Sequence, residues 1–179
     1  MESLRGKLLV SSPSLVDPNF RKTVVLVAHH DDDGAMGLVL SRPSDVVASE
    51  VVPTLTGIPG SDEPVFVGGP VQPESFMALA EFVDLSQAAA PIMGDLGFMP
   101  ADADPEELPI KRLRLFAGYS GWSEGQLEGE LAEGSWIVVD AIAEDAFAGD
   151  PDELWRSVLH RKGGPFALME NMPFDPGLN

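Results

Sequence analysis

Apolar residues along this chain come in short runs broken by Gly, Pro and Asp, the pattern of a protein built mainly from strands. Lys7 to Ser11 reads as a strand, and PSLVDPNF after it, with two prolines and an Asp-Pro pair, reads as loop. The clearest strand spans Thr23 to Ala28. Its apolar residues, Val24 to Ala28, are continuous instead of alternating, as expected where both faces of a strand are covered. HHDDDG breaks that run, and GAMGLVLSRP supplies a second strand ending at Pro43, so the two predict a hairpin with a short Asp/Gly connection. Ser44 or Asp45 is placed to cap a short helix through Val51, stopped near Pro53. TGIPGSDEP is a loop, and PVFVGGPV a short strand ending in a Gly-Gly-Pro turn. ESFMALAEF is ambiguous by period, but its place after a turn favours a strand from Phe76 to Phe82. From Asp84 to Pro109, prolines, glycines and the acidic run ADADPEE predict a long exposed excursion around 84–110, with one short strand at Leu96 to Met99.

Arg112 to Trp136, RLRLFAGYSGWSEGQLEGELAEGSW, reads as strand, glycine-rich turn and helix in succession. Leu113, Leu115 and Ala117 alternate with Arg114 and Phe116, Gly118 and Gly121 allow a tight turn, and Ser123 with Gln126 forms a capping box. Unpartnered amides of such a helix would face whatever lies over Tyr119 to Trp122. SWIVVDA from Ser135 to Ala141 is a further strand. The last helix runs from Pro151 to Lys162: Asp150 caps it, Glu153 completes the box, Gly163 ends it, and Leu154, Trp155, Val158 and Leu159 form its apolar stripe. Many strands, few helices and hairpin-like links predict an α+β fold, with a mixed, mainly antiparallel sheet or partly closed barrel and a few helices packed on it.

Composition narrows the chemistry. A chain of 179 residues with a 44% hydrophobic share is long enough to remove about 70% of its unfolded surface from water, and a single domain over residues 1–179 is expected. Cysteine is absent, which excludes disulfides, thiolate metal sites and cysteine nucleophiles together. Formal net charge is −18, and no Lys or Arg occurs from Pro43 to Ile110 or from Leu115 to Trp155. Such a surface repels phosphate backbones and anionic membranes, so neither direct nucleic-acid binding nor membrane association is expected. No long apolar run or leader-like segment occurs, and a cytoplasmic location is the expectation.

DPNFRKTVVLVAHHDDDGAMGLVLSRP, then VFVGGPV, then FAGYSGWSEGQLEGEL, then SWIVVD follow one another in an order and spacing that resemble the YqgE/AlgH family, over roughly Gly6 to Trp155. The resemblance implies an α+β fold with no assigned reaction, some members carrying a transcriptional-regulator label. The family's motif residues fall here on Asn19, Phe20, Thr23, His29, Gly34, Gly37, Arg42, Pro43, Gly68, Gly69, Pro70, Gly118, Gly121, Trp122, Gln126 and Glu128. Ser41 departs from the asparagine many relatives carry before Arg-Pro, and the tail GGPFALMENMPFDPGLN departs from the better-known members.

The candidate chemistry is sparse. His29, His30 and Asp31 to Asp33 form the one His/Asp cluster, but neighbours on an extended chain point to opposite faces, so a solvated hairpin turn is preferred over a metal site. Ser120 resembles a hydrolase elbow, yet G-x-S-x-G fails because Trp122 holds the fifth place. Gly68 and Gly69 read as backbone crowding before an anion nest. Arg42 carries a planar fork suited to a carboxylate or phosphate, with Glu128 as its expected structural partner. Tyr119 and Trp122 offer faces to a flat ligand, although packing is the commoner role. The sequence therefore predicts a pocket among His29, Arg42, Tyr119, Trp122, Gln126 and Glu128, with no cofactor, no metal and no assigned catalytic residue. The expected role is a small-molecule-binding or protein-interaction domain with an indirect part in transcriptional regulation. The alternative is a hydrolase or transferase using His29 with Glu128.

Overall fold

The computed structural model of the chain describes residues 2–12 and 22–169. The loop expected over 13–20, with Asn19 and Phe20, and the tail beyond 169 lie outside them. A ten-stranded sheet dominates. Its strands are β1 (Lys7–Ser11), β2 (Val24–Asp31), β3 (Gly34–Val39), β4 (Pro43–Val47), β5 (Pro64–Val67), β6 (Val71–Phe82), β7 (Ala90–Met93), β8 (Leu96–Phe98), β9 (Ile110–Ser123) and β10 (Trp136–Asp140). Helices α1 (Ala48–Val51), α2 (Gln126–Ala132), α3 (Pro151–Lys162) and α4 (Pro165–Met169) complete the described elements, with 3-10 turns between some of them.

The strands run β10-β1-β2-β3-β9-β6-β8-β7, while β4 pairs with β5 and β5 joins β9. Every pairing is antiparallel except β5 with β9. The path ends at β10 and β7, so the sheet is mixed, mainly antiparallel and open. The α+β architecture predicted from the pattern is the one present, in its unclosed form. No helix among the described residues is long and apolar enough to cross a membrane.

The continuous apolar run of β2 is explained by cover on both faces. Val24 and Leu26 join the cluster that holds Leu154, Trp155, Val158 and Leu159 of α3, whereas Val25 and Val27 join the one that holds Trp122, Trp136 and Leu127 of α2. Alternate residues of one strand thus feed two cores, as a period of two requires. The β2–β3 hairpin closes with Asp31 opposite Gly34. The α3 stripe is buried as expected, and Asp150 Oδ1 accepts the Asp152 and Glu153 amides at 3.0 and 3.3 Å. Glu153 does not return the bond, so that cap is one-sided. The short α4 was not anticipated.

Three further expectations are corrected. The short helix expected through Val51 is present but begins only at Ala48, because Pro43–Val47 is strand, with Pro43 opposite Phe66 and Val47 opposite Pro64; two β-branched residues beside an open edge favour pairing. The region expected as an exposed excursion carries β7 beside the strand expected at Leu96, which is β8, and Ile92 and Leu96 of the pair are buried in the main core. Most consequential, β9 does not stop at Ala117. It runs through both glycines to Ser123, because Gly34, Ala35, Met36 and Gly37 of β3 pair with Ser123, Trp122, Gly121 and Ser120 in turn. Ladder bonds over four residues outweigh local turn preference. Helix α2 accordingly begins at Gln126 after Gly125 at φ 75°, and only half of the expected box exists: Gln126 Oε1 accepts the Ser123 amide at 3.0 Å and its hydroxyl at 3.3 Å.

The alternation along β9 is present, with Leu113, Leu115 and Ala117 in one cluster and Phe116 in another, and both faces are covered: Phe116 and Arg114 are as buried as Leu113. Arg114 is 2% exposed. Its Nη1 donates to the carbonyls of Ala146 and Ala148 at 3.2 and 2.7 Å, its Nη2 to Phe147 O at 3.3 Å and to Glu63 Oε2 at 2.7 Å, and it stacks 4.1 Å from the Phe66 ring centre. Burial pushes its pKa down and Glu63 pushes it back, but a guanidinium stays charged. One side chain therefore ties β9 to two distant loops.

Where β5 leaves for β6, the chain crosses β9 at backbone contact. A Cβ on Gly69 would sit 2.2 Å from the Tyr119 carbonyl carbon, and one on Gly68 would sit 2.4 Å from Gly118 O. The glycine pair is thus a crowding device. Gly69→Ala should lower unfolding free energy by at least about 3 kcal/mol, because backbone must move and no flexible side chain can yield; urea denaturation should show it. Gly129→Ala, with nothing near its Cβ, should stabilise α2 slightly in the same assay.

Candidate functional site

The structure separates the six residues expected to share a pocket. Trp122 and Gln126 meet through Glu130: Trp122 Nε1 donates to Glu130 Oε1 at 3.0 Å, Trp136 Nε1 to the same oxygen at 2.8 Å, and Gln126 Nε2 to Oε2 at 3.0 Å. The two indoles sit edge to face with centres 6.2 Å apart. Trp122 is 5% exposed, so it offers no face to a ligand. Two N–H groups sharing one carboxylate clamp α2 onto the end of β9, which is a packing role. Tyr119 packs against the main core and Arg42 Nη2 donates to Thr23 Oγ1 at 3.2 Å. Ser120 is fully buried, with its hydroxyl on Gly68 O at 3.2 Å, which leaves nothing for an elbow nucleophile to attack.

Glu128 does not pair with Arg42. It bonds His30, whose Nε2 lies 2.7 Å from Glu128 Oε1. His30 Nδ1 accepts the Leu4 amide at 2.9 Å, so Nδ1 carries no proton and Nε2–H is the donor to the carboxylate. His29, one residue earlier, points to the other face of β2, where its Nε2 meets Asp31 Oδ2 at 2.7 Å. The geometry thus brings Glu128 to the wrong histidine for a His29–Glu128 pair. Asp31 Oδ1 accepts the Asp33 amide at 2.9 Å and closes the turn. No group of three or more His, Asp or Glu side chains among the described residues is arranged to hold a metal ion.

A cleft of about 870 Å³ opens elsewhere, and of the six only His29 lines it. Ala28, His29 and Met36 form one wall; Phe76, Met77 and Ala78 of β6 form the floor with Leu115. Ala90, Pro91 and Phe98 of the β7–β8 hairpin stand opposite, and segments 52–55 and 99–105 close the rim. The hairpin is held there from two sides. Leu79 of β6 pairs with Phe98, and Gly6 packs so closely on it that an added Cβ would lie 2.9 Å from Met93 Cβ. Phe76 remains 46% exposed inside this concavity. Arg5 completes the lining, set beside the end of β2 by the Gly6 amide on Val27 O at 2.8 Å. No local sequence signal marks these residues as a set, since they come from eight separated stretches; the ambiguous period of ESFMALAEF, an apolar strand with one face unaccounted for, is the nearest to one.

The His30 hydrogen bond, ahead of a bond from its own backbone amide, holds the Glu128 carboxyl below its ordinary value of 4.5. A lowered folded pKa means that the contact stabilises fully above the ordinary value and fades as pH falls through the folded one. Thermal melts of wild type and Glu128→Gln should therefore differ by a constant amount from about pH 7 to about pH 5 and converge on further acidification. A gap that widens in acid would refute this assignment.

The profile of the AlgH-like family matches residues 8–167. A UPF0301 protein of Streptomyces coelicolor is 41% identical over 187 residues, covering 100% of this chain and 97% of that protein, and one of Mycobacteroides abscessus is 35% identical over 181 residues, covering 97% and 87%. Among solved structures, the crystal structure of a Corynebacterium diphtheriae protein superposes with a TM-score of 0.88 at 28% identity, covering 96% of this chain and 94% of that one. The solution structure of AlgH from Pseudomonas aeruginosa gives 0.74 at 28% identity, covering 96% and 95%. With nearly its whole length matched by the family profile and by full-length relatives, the chain belongs to the AlgH-like family.

Proposed function

We propose that this chain is a binding module whose ligand is a small molecule with an apolar body, held in the cleft between β6 and the β7–β8 hairpin. The observation that carries this reading is the half-exposed Phe76 within an apolar concavity of about 870 Å³, a volume inside the range of roughly 300–1,000 Å³ common to small-molecule sites. Leaving an aromatic ring half in water forgoes part of the roughly 1.5–3 kcal/mol that full burial gives. A ligand that covers the ring recovers that energy. Met36, Met77 and Met99 also line the cleft, and their flexible thioethers adapt to the shape of a guest. The lining holds one imidazole, His29, hydrogen-bonded to Asp31, and among the described residues no carboxylate lies in the cleft itself.

A neutral solvatochromic dye, Nile red, tests the cleft directly. Its fluorescence should rise and saturate with wild-type protein. Phe76→Glu should abolish saturable binding and leave the melting temperature within a few degrees, since the ring is already half solvated. Val83→Glu, at an apolar residue 62% exposed that does not line the cleft, should bind like wild type. Equal binding by wild type and Phe76→Glu would refute the reading.

A further inference from the structure

Charge is sorted unevenly around this cleft. The chain carries 29 Asp and Glu against 11 Lys and Arg, yet none of the described carboxylates lines the cleft. Among the described residues, its one permanent charge is Arg5. Most described cations have taken an acidic partner: Arg114 has Glu63, Arg161 has Asp145, Arg112 has Glu81 and Glu144, Lys7 has Asp140, Lys22 has Asp152 and Lys111 has Asp95. Among the described residues no hydrogen bond or ion pair engages the Arg5 guanidinium; the one bond at this residue is its backbone amide on Ser3 Oγ at 3.2 Å. The Arg5 side chain is exposed on the lining of the cleft, so its fork is open to a carboxylate brought by a ligand.

Resting on the cleft reading, we propose that the ligand is an amphipathic monoanion, a carboxylate with an alkyl or aryl body, its head on the Arg5 guanidinium and its body along Phe76, Met77 and Phe98. The fork geometry of a guanidinium matches a carboxylate through two parallel hydrogen bonds. The imidazole of His29, in the same wall, is held by Asp31, so Arg5 is the group that discriminates charge. The net charge of −18 does not forbid an anion here. At physiological ionic strength the screening length is about 8 Å, so carboxylates farther away are muted while a contact pair is not. The overall field slows the arrival of anions, and the local contact sets which apolar molecule stays.

Matched probe pairs test this: dodecanoate against dodecanol, and 2-naphthoate against 2-naphthol, each titrated as a competitor of Nile red on the full chain. In wild type the acid of at least one pair should bind at least about tenfold more tightly than its alcohol, the scale of a charge-assisted hydrogen bond. Arg5→Gln should erase that preference, so that each acid and its alcohol compete with Nile red equally. An advantage in the dodecyl pair identifies an alkyl body, and one in the naphthyl pair an aryl body. Equal affinity of acid and alcohol in both pairs, no displacement by either acid, or a preference that survives Arg5→Gln would overturn the anion assignment with the cleft reading intact. Failure of wild type to bind Nile red at all would overturn both.

Discussion

Everything in this fold depends on β9 being enclosed. It is paired along both edges, with β3 and β5 on one side of its path and β6 on the other, and its residues from Leu113 to Phe116 are buried on both faces. A strand so enclosed must satisfy every backbone group within the sheet, because water cannot reach it. That requirement carries β9 past Gly118 and Gly121 to Ser123 and demands glycine where the β5–β6 connection crosses it. It also explains Arg114. A charge at the centre of the sheet is tolerable only with its hydrogen bonds filled, and three loop carbonyls with Glu63 fill them.

The cleft is a by-product of the same arrangement. Because β9 and β6 form a long antiparallel pair, β6 projects to an edge where β8 and β7 are added, and the hairpin then folds back towards the segment before β1. Between that hairpin and the near ends of β2 and β3, no α-helix among the described residues covers the sheet. Helices α2 and α3 cover the two faces of β1 to β3 instead. Apolar side chains over the uncovered part of β6 are left facing a gap, with Phe76 the most exposed of them.

The two histidines of the β2–β3 hairpin illustrate how one strand serves two purposes. His30 is a structural group: buried, fixed in a single tautomer by the Leu4 amide, and holding Glu128 of α2. His29 faces the cleft, with Asp31 beside it. Adjacent in sequence, they are a sheet thickness apart in role, since successive side chains of a strand leave on opposite faces. The indole–Glu130–Gln126 set likewise turns residues with the look of a ligand site into the clamp that seats α2.

What the residues alone determined was whatever depends on neighbours in sequence. Strands β1, β2 and β10, the β2–β3 hairpin and the capped, amphipathic α3 follow from period, turn chemistry and capping, which act within a few residues. The α+β class followed from their sum, and family membership from motifs long enough to be specific. What only the tertiary structure decided was every choice between local preference and distant pairing: β4 as strand ahead of a helix that starts only at Ala48, β9 running through its glycines, Glu128 on His30 and not on Arg42, and β7 paired with β8 in place of an exposed loop. The cleft belongs to that second set. Its lining is assembled from segments tens of residues apart, and Arg5 joins it with no carboxylate partner among the described residues, a placement that no spacing along the chain encodes.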